Sequence, residues 1–322
     1  MVGDRFRLCE SELASSARAP LAGAESEGCA GAKRLANRAG EFRKCVRLGK
    51  RKPASTNLFV VTNRRSSTGD AGAGREQRRR AARALNRQLK YQQEKARRIQ
   101  GHESAVISSM QQTSKRVRDR LQQVRPITSD ARVLEVGSGA HGLIFFFGNE
   151  HGVGVDPLAH AYASLFPAWQ RRVATIAAFG ESLPFADNSF DIVLCDNVVD
   201  HAESPARIVS EIMRVLSPDG LLYFTVNVHH PIYSFVSGAH ATWQRLGIRF
   251  EIGPFADHTV HLTQPRAREL FVRQPVRILT ETNNIAAAKA RARQSTPRHL
   301  GDRLKRVFFK NALYEVVAIR EG

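Results

Sequence analysis

The chain has 322 residues, long enough for one large domain with an appendage or for two small domains. Its net charge of +19 is unevenly spread, because residues 1–100 hold 24 Lys and Arg against 9 Asp and Glu, whereas residues 126–228 hold 5 against 12. The positive charge therefore belongs to the flanks of an acidic centre and gives only weak support for a nucleic-acid enzyme.

The four cysteines are spaced neither as a disulfide scaffold nor as a zinc site, which favours a reducing compartment. No run of 18 apolar residues occurs, and the N-terminus lacks a signal-type apolar core. We therefore expect a cytoplasmic protein without a membrane span and without a bound metal. The oligomeric state stays open.

The N-terminal third contains two kinds of segment. Residues 1–72 are rich in Ala, Gly, Ser and Arg without apolar periodicity, which is typical of a disordered basic tail, with a nucleic-acid-binding arm as the alternative. Residues 73–126 are predicted to be helical, with an interruption at Gly101, and we expect this extension to pack as a lid across a ligand site. Its second half carries one apolar stripe, formed by Val106, Met110, Val117, Leu121 and Val124.

From residue 132 onward short apolar strands alternate with helices. Strands are predicted at 132–136, 152–155, 173–177, 190–195, 221–228, 276–282 and 313–320. Helices are predicted at 158–166, 204–216 and 264–271, and a turn at 217–220. This order predicts a doubly wound α/β domain over 127–322, with a seven-stranded, mostly parallel sheet.

A glycine-rich turn follows the first strand in "VLEVGSGAHG", residues 133–142. Gly137, Gly139 and Gly142 would let a ligand lie against bare backbone at the carboxyl edge of the sheet. Their spacing is also the dinucleotide fingerprint, and Asp156 stands where an acid could bind a ribose, which would permit NAD. Glu135 argues against NAD, because a dinucleotide-binding strand is usually apolar at that place.

Three later motifs narrow the choice of ligand. They are "GVDP" (154–157), "LPFADNSFDIVLCDNVVDH" (183–201) and "RVLSPDGLLYF" (214–224). In combination with the glycine turn, they resemble the class I S-adenosylmethionine-dependent methyltransferases, in particular the group acting on small molecules. The resemblance covers about residues 130–228 and implies a Rossmann-like fold with S-adenosyl-L-methionine as cofactor. Residues 229–322 would then supply the substrate side.

The resemblance also implies roles for single residues. Those expected around the amino-acid end of the cofactor are Glu135, Gly137, Ser138, Gly139 and Asn197. Those expected around the nucleoside are Asp156 at the ribose, and Pro157, Gly180 and Glu181 at the adenine. Two positions depart from the family pattern, because His141 stands where a glycine is usual and Phe179 where an acid is usual.

The methyl group of a sulfonium is already activated, so the enzyme mainly has to orient an acceptor and exclude water. Candidate bases follow the fourth and fifth strands: His201, His229 and His230 first, then Asp200, Tyr233, His258 and His261. The sequence after the fourth strand is not the "NPPY" type of nucleic-acid amino-methylation sites. We therefore predict methyl transfer to an oxygen or carbon of a small molecule. The alternatives are an RNA methyltransferase using the basic stretches 75–98 and 284–310, a non-catalytic S-adenosylmethionine-binding protein, and an NAD-dependent oxidoreductase.

Overall fold

The computed structural model describes residues 71–232, 262–294, 303, 307–309 and 311–322, with side chains from residue 83 onward. Nearly all of the predicted basic tail lies outside the described residues, as do Tyr233, His258 and His261.

Two helices precede the sheet, as predicted. Helix α1 spans Ala71–Ile99 and helix α2 spans Glu103–Gln122. Gly101 separates them with a φ of +80°, a conformation that favours glycine. Four residues of the predicted stripe are buried on α2, but Val124 lies beyond its end with 38% of its surface exposed, so its inclusion was wrong.

The sheet has seven strands, as predicted. They are β1 (Arg132–Val136), β2 (His151–Val155), β3 (Ala174–Ile176), β4 (Phe190–Asp196), β5 (Leu216–Val228), β6 (Val276–Asn283) and β7 (Ala312–Arg320). Their order in space is β3-β2-β1-β4-β5-β7-β6, and β7 alone runs antiparallel to its neighbours. The direction of winding reverses between β1 and β4, which is where doubly wound sheets open a crevice for ligands. The predicted α/β fold is therefore confirmed.

In the described ranges, five further helices lie between the strands. They are α3 (Ala159–Leu165), α4 (Pro167–Gln170), α5 (Pro205–Val215), α6 (Gln264–Glu269) and α7 (Ile285–Gln294). The helix predicted at 158–166 is α3, with Phe166 as its C-terminal cap, and Pro167 begins the separate helix α4. Within the described ranges, no helix combines the length and the apolar character that crossing a membrane requires.

Strand β5 begins earlier than predicted. The expected turn at 217–220 is a bulge inside β5, because the pairing with β4 jumps from Leu216 to Leu221. Asp219 has a φ of +59°, and a Cβ on Gly220 would lie under 3.0 Å from the Leu216 side chain. The Pro-Asp-Gly sequence thus bends the strand locally without ending it.

The sheet has a core on each face. On one face α5, α6 and α7 cover β1, β4, β5 and β7, with Ile208 and Ile212 of α5 fully enclosed. On the other face α2 packs with residues 143–147, α3 and α4, and Leu121 of α2 has no exposed surface. The helical extension is therefore part of the second core and does not stand apart from the sheet.

This packing makes stability depend on α2. We expect Leu121→Ala to lower the free energy of unfolding by about 2–5 kcal/mol, because it opens a cavity in the second core. The matched control Val124→Ala, at an exposed position just beyond the same helix, should change it by less than about 0.5 kcal/mol. Urea denaturation measures both values. Equal, small effects would show that α2 is not part of the folded core.

Candidate cofactor site

The glycine turn folds back toward β2 as it leaves β1. The main-chain N–H groups of Gly137 and Ser138 both donate to the carbonyl of Val155, at 2.7 and 3.0 Å. Gly137 and Gly139 have φ values of +70° and +53°. A Cβ on Gly137 would overlap Val198, whereas one on Gly139 would meet only the Gly137 carbonyl, at 3.8 Å. Gly139 therefore presents bare backbone to open space.

Glu135 lies behind this turn, with 1% of its surface exposed. Its two carboxylate oxygens accept from the main-chain N–H groups of Leu143 and Ile144, each at 3.0 Å. These donors are the N-terminus of a single 3-10 turn, Leu143–Phe146, which replaces the longer helix common after such a loop. The carboxylate thus caps the chain's own backbone, and burial raises its pKa to about 8.

The third glycine of the turn serves Glu135. Gly142 has a φ of −63°, which any residue can adopt. A Cβ there, however, would lie under 3.0 Å from Oε2 of Glu135 and from the carbonyl of Ser138. The absence of a side chain at Gly142 is therefore required by the buried carboxylate, whereas Gly139 leaves its backbone open.

Asp156 stands at the end of β2 with both carboxylate oxygens oriented by backbone. Oδ2 accepts from Gly139 N–H at 3.1 Å, and Oδ1 accepts from Leu158 N–H at 2.7 Å. Each oxygen retains a second lone pair for another donor. Burial raises the pKa of Asp156 to about 6. This geometry suits two neighbouring hydroxyl groups, and the half-buried Pro157 follows directly.

The residues near the expected adenine position differ in their surroundings: one is tightly packed, one is hydrogen-bonded to the chain and one is exposed. Gly180 sits tightly, since a Cβ there would lie 3.0 Å from Val136 and 3.1 Å from Ile208. The Glu181 carboxylate accepts from the N–H groups of Glu203 and Ser204, at 3.0 and 3.4 Å, so it braces the start of α5. Phe179, by contrast, leaves 41% of its surface exposed and offers an aromatic face.

Asn197 follows β4 in a left-handed conformation, with a φ of +59°. Asn227 donates twice to Oδ1 of Asn197, from its main-chain N–H at 3.0 Å and from its side-chain amide at 2.6 Å. At the neighbouring strand pair, the hydroxyl of Thr225 on β5 donates to the carboxylate of Asp196, the last residue of β4, at 2.5 Å. These bonds join the carboxyl ends of β4 and β5 beside the crevice. Asn227 was not predicted, although a polar residue in an apolar strand was a visible signal.

The three candidate bases differ in exposure. His201 lies in the turn Val199–His201 with 37% of its side chain exposed, and its Nε2 is 3.8 Å from the fully buried Asp200 carboxylate. His229 is fully buried, and its Nδ1 accepts from Asn311 N–H at 3.3 Å. The Nδ1 of His230 accepts from Ile232 N–H at 3.3 Å. Only His201 therefore combines an exposed imidazole with an adjacent acid.

Two side chains of α4 hold the glycine turn from behind, and sequence reasoning missed both. Trp169 donates its indole N–H to the Ala140 carbonyl at 2.7 Å. Gln170 donates its amide to the carbonyls of Gly139 and Ala140, at 2.9 and 3.0 Å. The His141 ring packs 5.4 Å from the Trp169 ring, and burial lowers its pKa well below the usual range. The half-buried His141 thus packs its ring against Trp169.

Comparisons with known proteins identify similar methyltransferases. Residues 134–224 match the family described as "Methyltransferase domain". An uncharacterized methyltransferase of Mycolicibacterium vanbaalenii is 30% identical over 151 residues, which are 44% of this chain and 50% of that protein. A thiol S-methyltransferase of Rattus norvegicus is 40% identical over 73 residues, which are 22% of this chain and 28% of that protein.

Among solved structures, the geranyl diphosphate C-methyltransferase of Streptomyces coelicolor has a TM-score of 0.46 and 14% identity, covering 68% of this chain and 84% of that one. The match over residues 134–224 confirms the predicted resemblance to the class I methyltransferases. The chain spans about half the length of the mycobacterial relative that it matches.

The contact between Gly142 and Glu135 gives a test by double-mutant cycle. We expect Gly142→Ala to lower the free energy of unfolding by about 1–3 kcal/mol, because the added methyl group overlaps the carboxylate. In a Glu135→Ala background the same change should cost less, with a coupling energy of about 0.5–3 kcal/mol. Gly139→Ala is the control, and its cost should be additive with Glu135→Ala. Additivity for Gly142→Ala as well would contradict the assignment of the third glycine to Glu135.

Proposed function

We propose that the chain is an S-adenosylmethionine-dependent methyltransferase that acts on a small-molecule acceptor. The observation that carries this proposal is the pair of hydrogen bonds from Leu143 and Ile144 to the Glu135 carboxylate. A dinucleotide places its pyrophosphate on the N-terminal N–H groups of the helix after the glycine turn. Here a buried acid already accepts from those groups, so a phosphate there would find no free donors. A phosphate-free nucleoside therefore suits the turn.

The residues proposed to hold this cofactor follow the carboxyl ends of β1, β2, β3 and β4. The backbone of Gly137, Ser138 and Gly139 approaches the amino-acid end, and Asp156 takes the ribose hydroxyls. Pro157 and Gly180 lie toward the base, and Asn197 toward the methionine end. Glu135 and Glu181 contribute by holding the glycine turn and the start of α5 in place.

When bound, the cofactor supplies an activated methyl group on a sulfonium. The chain then has to orient the acceptor, exclude water and, for a protonated acceptor, remove one proton. We assign proton removal to Nε2 of His201, because this imidazole is exposed and lies beside the buried acid Asp200. His229 and His230 then have structural roles, consistent with their hydrogen bonds to Asn311 and Ile232.

The acceptor is proposed to be a small molecule with an oxygen or carbon nucleophile. The rat relative is named a thiol S-methyltransferase, which adds small thiols to the acceptors to be tested. An RNA acceptor would instead use the basic stretches around 75–98 and 284–310. That alternative predicts RNA binding that weakens steeply as salt is added, because phosphate contacts release counterions.

A labelling experiment tests the activity. The full chain is incubated with methyl-labelled S-adenosylmethionine and, separately, with small thiols, phenols, carboxylic acids and total RNA. We expect label in a small-molecule fraction, and loss of the label with Asp156→Asn. Label in RNA alone would contradict the proposed acceptor class. Cofactor binding without label in any fraction would support a non-catalytic binding protein.

Asp156 makes cofactor binding depend on pH. Its raised pKa of about 6 means that the carboxyl group is protonated below pH 6 and loses acceptor capacity. We expect the affinity for S-adenosylhomocysteine to fall as pH decreases through about 6. Asp156→Asn should weaken binding at pH 7.5 by about 10-fold or more, because a bond to a charged acceptor contributes about 1.5–3 kcal/mol.

Isothermal titration between pH 5 and pH 8 measures both effects. The fall in affinity around pH 6 should disappear in Asp156→Asn. Asp187→Asn is the control, because Asp187 is 72% exposed and pairs with Arg214 on the surface, and it should bind like the unchanged chain. An unaltered pH profile in Asp156→Asn would remove Asp156 from the site.

A further inference from the structure

Helix α1 turns polar side chains toward the core. Gln88, Gln92 and Lys95 follow one another at spacings of four and three residues, so they share one face of the helix. Gln92 is 3% exposed and Lys95 is 8% exposed, although Ala96 and Ile99 nearby pack into the second core. Amide and ammonium groups are costly to bury, so their presence on this face calls for a function.

This face of α1 lies against the support of the glycine turn. Gln88 is hydrogen-bonded to the hydroxyl of Tyr162 on α3, and Tyr162 is close enough to Asp156 to feel its charge. About two turns further along α1, Lys95 lies close enough to His141 of the glycine turn for its charge to act on that ring. Gln92 lies between these two contacts on the helix face.

Two carbonyl oxygens in this region are buried and unsatisfied. They are Oε1 of Gln92 and Oε1 of Gln170, and no donor within the described part of the chain reaches either. Gln170 is 2% exposed, and its amide nitrogen already donates hydrogen bonds to the carbonyls of Gly139 and Ala140. A buried acceptor without a donor costs about 1–3 kcal/mol. Such groups are normally satisfied by an ordered water or by a ligand.

We infer that α1 completes the cofactor site, and that Gln92 and Gln170 are further binding residues. Their side-chain oxygens accept hydrogen bonds from donor groups of the nucleoside held at the glycine turn. This inference rests on the proposed function. The ligand carries three kinds of donor: the ammonium of its amino-acid end, the hydroxyls of its ribose and the amino group of its adenine. Binding then favours the docked position of α1, because the ligand satisfies oxygens that α1 and α4 otherwise bury unpaired.

The variant Gln92→Met tests this inference, with Gln93→Met as its matched control on the exposed face of the same helix. Thermal unfolding of the ligand-free chain and titration with S-adenosylhomocysteine are measured for both. We expect Gln92→Met to unfold at the same or a higher temperature, because it removes an unsatisfied buried oxygen. Its affinity for S-adenosylhomocysteine should fall by about 3- to 10-fold, the effect of one neutral hydrogen bond. Gln93→Met should change neither value.

Gln170→Met is the second variant, and it should weaken binding more, since it also releases the carbonyls of Gly139 and Ala140. Titration with 5′-methylthioadenosine, which lacks the amino-acid end, separates the ammonium from the donors of the nucleoside. A loss for both ligands upholds the inference with the ribose or the adenine as donor, and a loss for S-adenosylhomocysteine alone upholds it with the ammonium.

Unchanged affinity in Gln92→Met would overturn the inference and leave an ordered water as the partner of Gln92. A different result would mark failure of the proposed function. If the unchanged chain binds no S-adenosylhomocysteine, then that function and the inference resting on it both fall.

Discussion

The shape of the candidate site depends on one buried carboxylate and on the two main-chain N–H groups that donate hydrogen bonds to it. Glu135 is the next-to-last residue of β1, and its two oxygens accept from the backbone N–H groups of Leu143 and Ile144. These bonds close the chain into a tight turn after β1, which in turn excludes any side chain at Gly142. The same closure brings Gly139 N–H to the Asp156 carboxylate at the end of β2.

This constraint also limits what the turn can bind. In dinucleotide-binding folds the free N–H groups of a helix N-terminus attract a pyrophosphate. In this chain the helix is reduced to one 3-10 turn, and its first donors already face an acid. The literal dinucleotide fingerprint in the sequence therefore describes glycines of two kinds. Gly137 and Gly139 shape the surface on the ligand side, whereas Gly142 makes room for Glu135.

Much of this architecture follows from local sequence patterns. Short apolar runs such as 132–136 and 190–195 could be recognised as strands, because buried parallel strands are apolar throughout. The alternation of strands and helices then fixed the topology and the edge of the sheet at which a ligand binds. Asp156 could be assigned to that edge for the same reason.

The support behind the site could not be predicted in this way. Trp169 and Gln170 reach the glycine turn from a four-residue helix about 30 positions later, and no spacing rule announces such a contact. Gln92 looked like one polar residue among many in a basic helix, since burial is decided by tertiary packing. The prediction for Val124 was wrong because the apolar spacing continues beyond Gln122, where the helix ends.

The most direct test of the account is a calorimetric titration of the chain with S-adenosylhomocysteine and, separately, with NAD. Because the buried acid fills the place of a pyrophosphate, the account predicts micromolar binding of S-adenosylhomocysteine and no binding of NAD. The variant Gly137→Arg, whose side chain would overlap Val198, should abolish the binding. Binding of NAD in place of S-adenosylhomocysteine would contradict the role given to Glu135 and, with it, the proposed function.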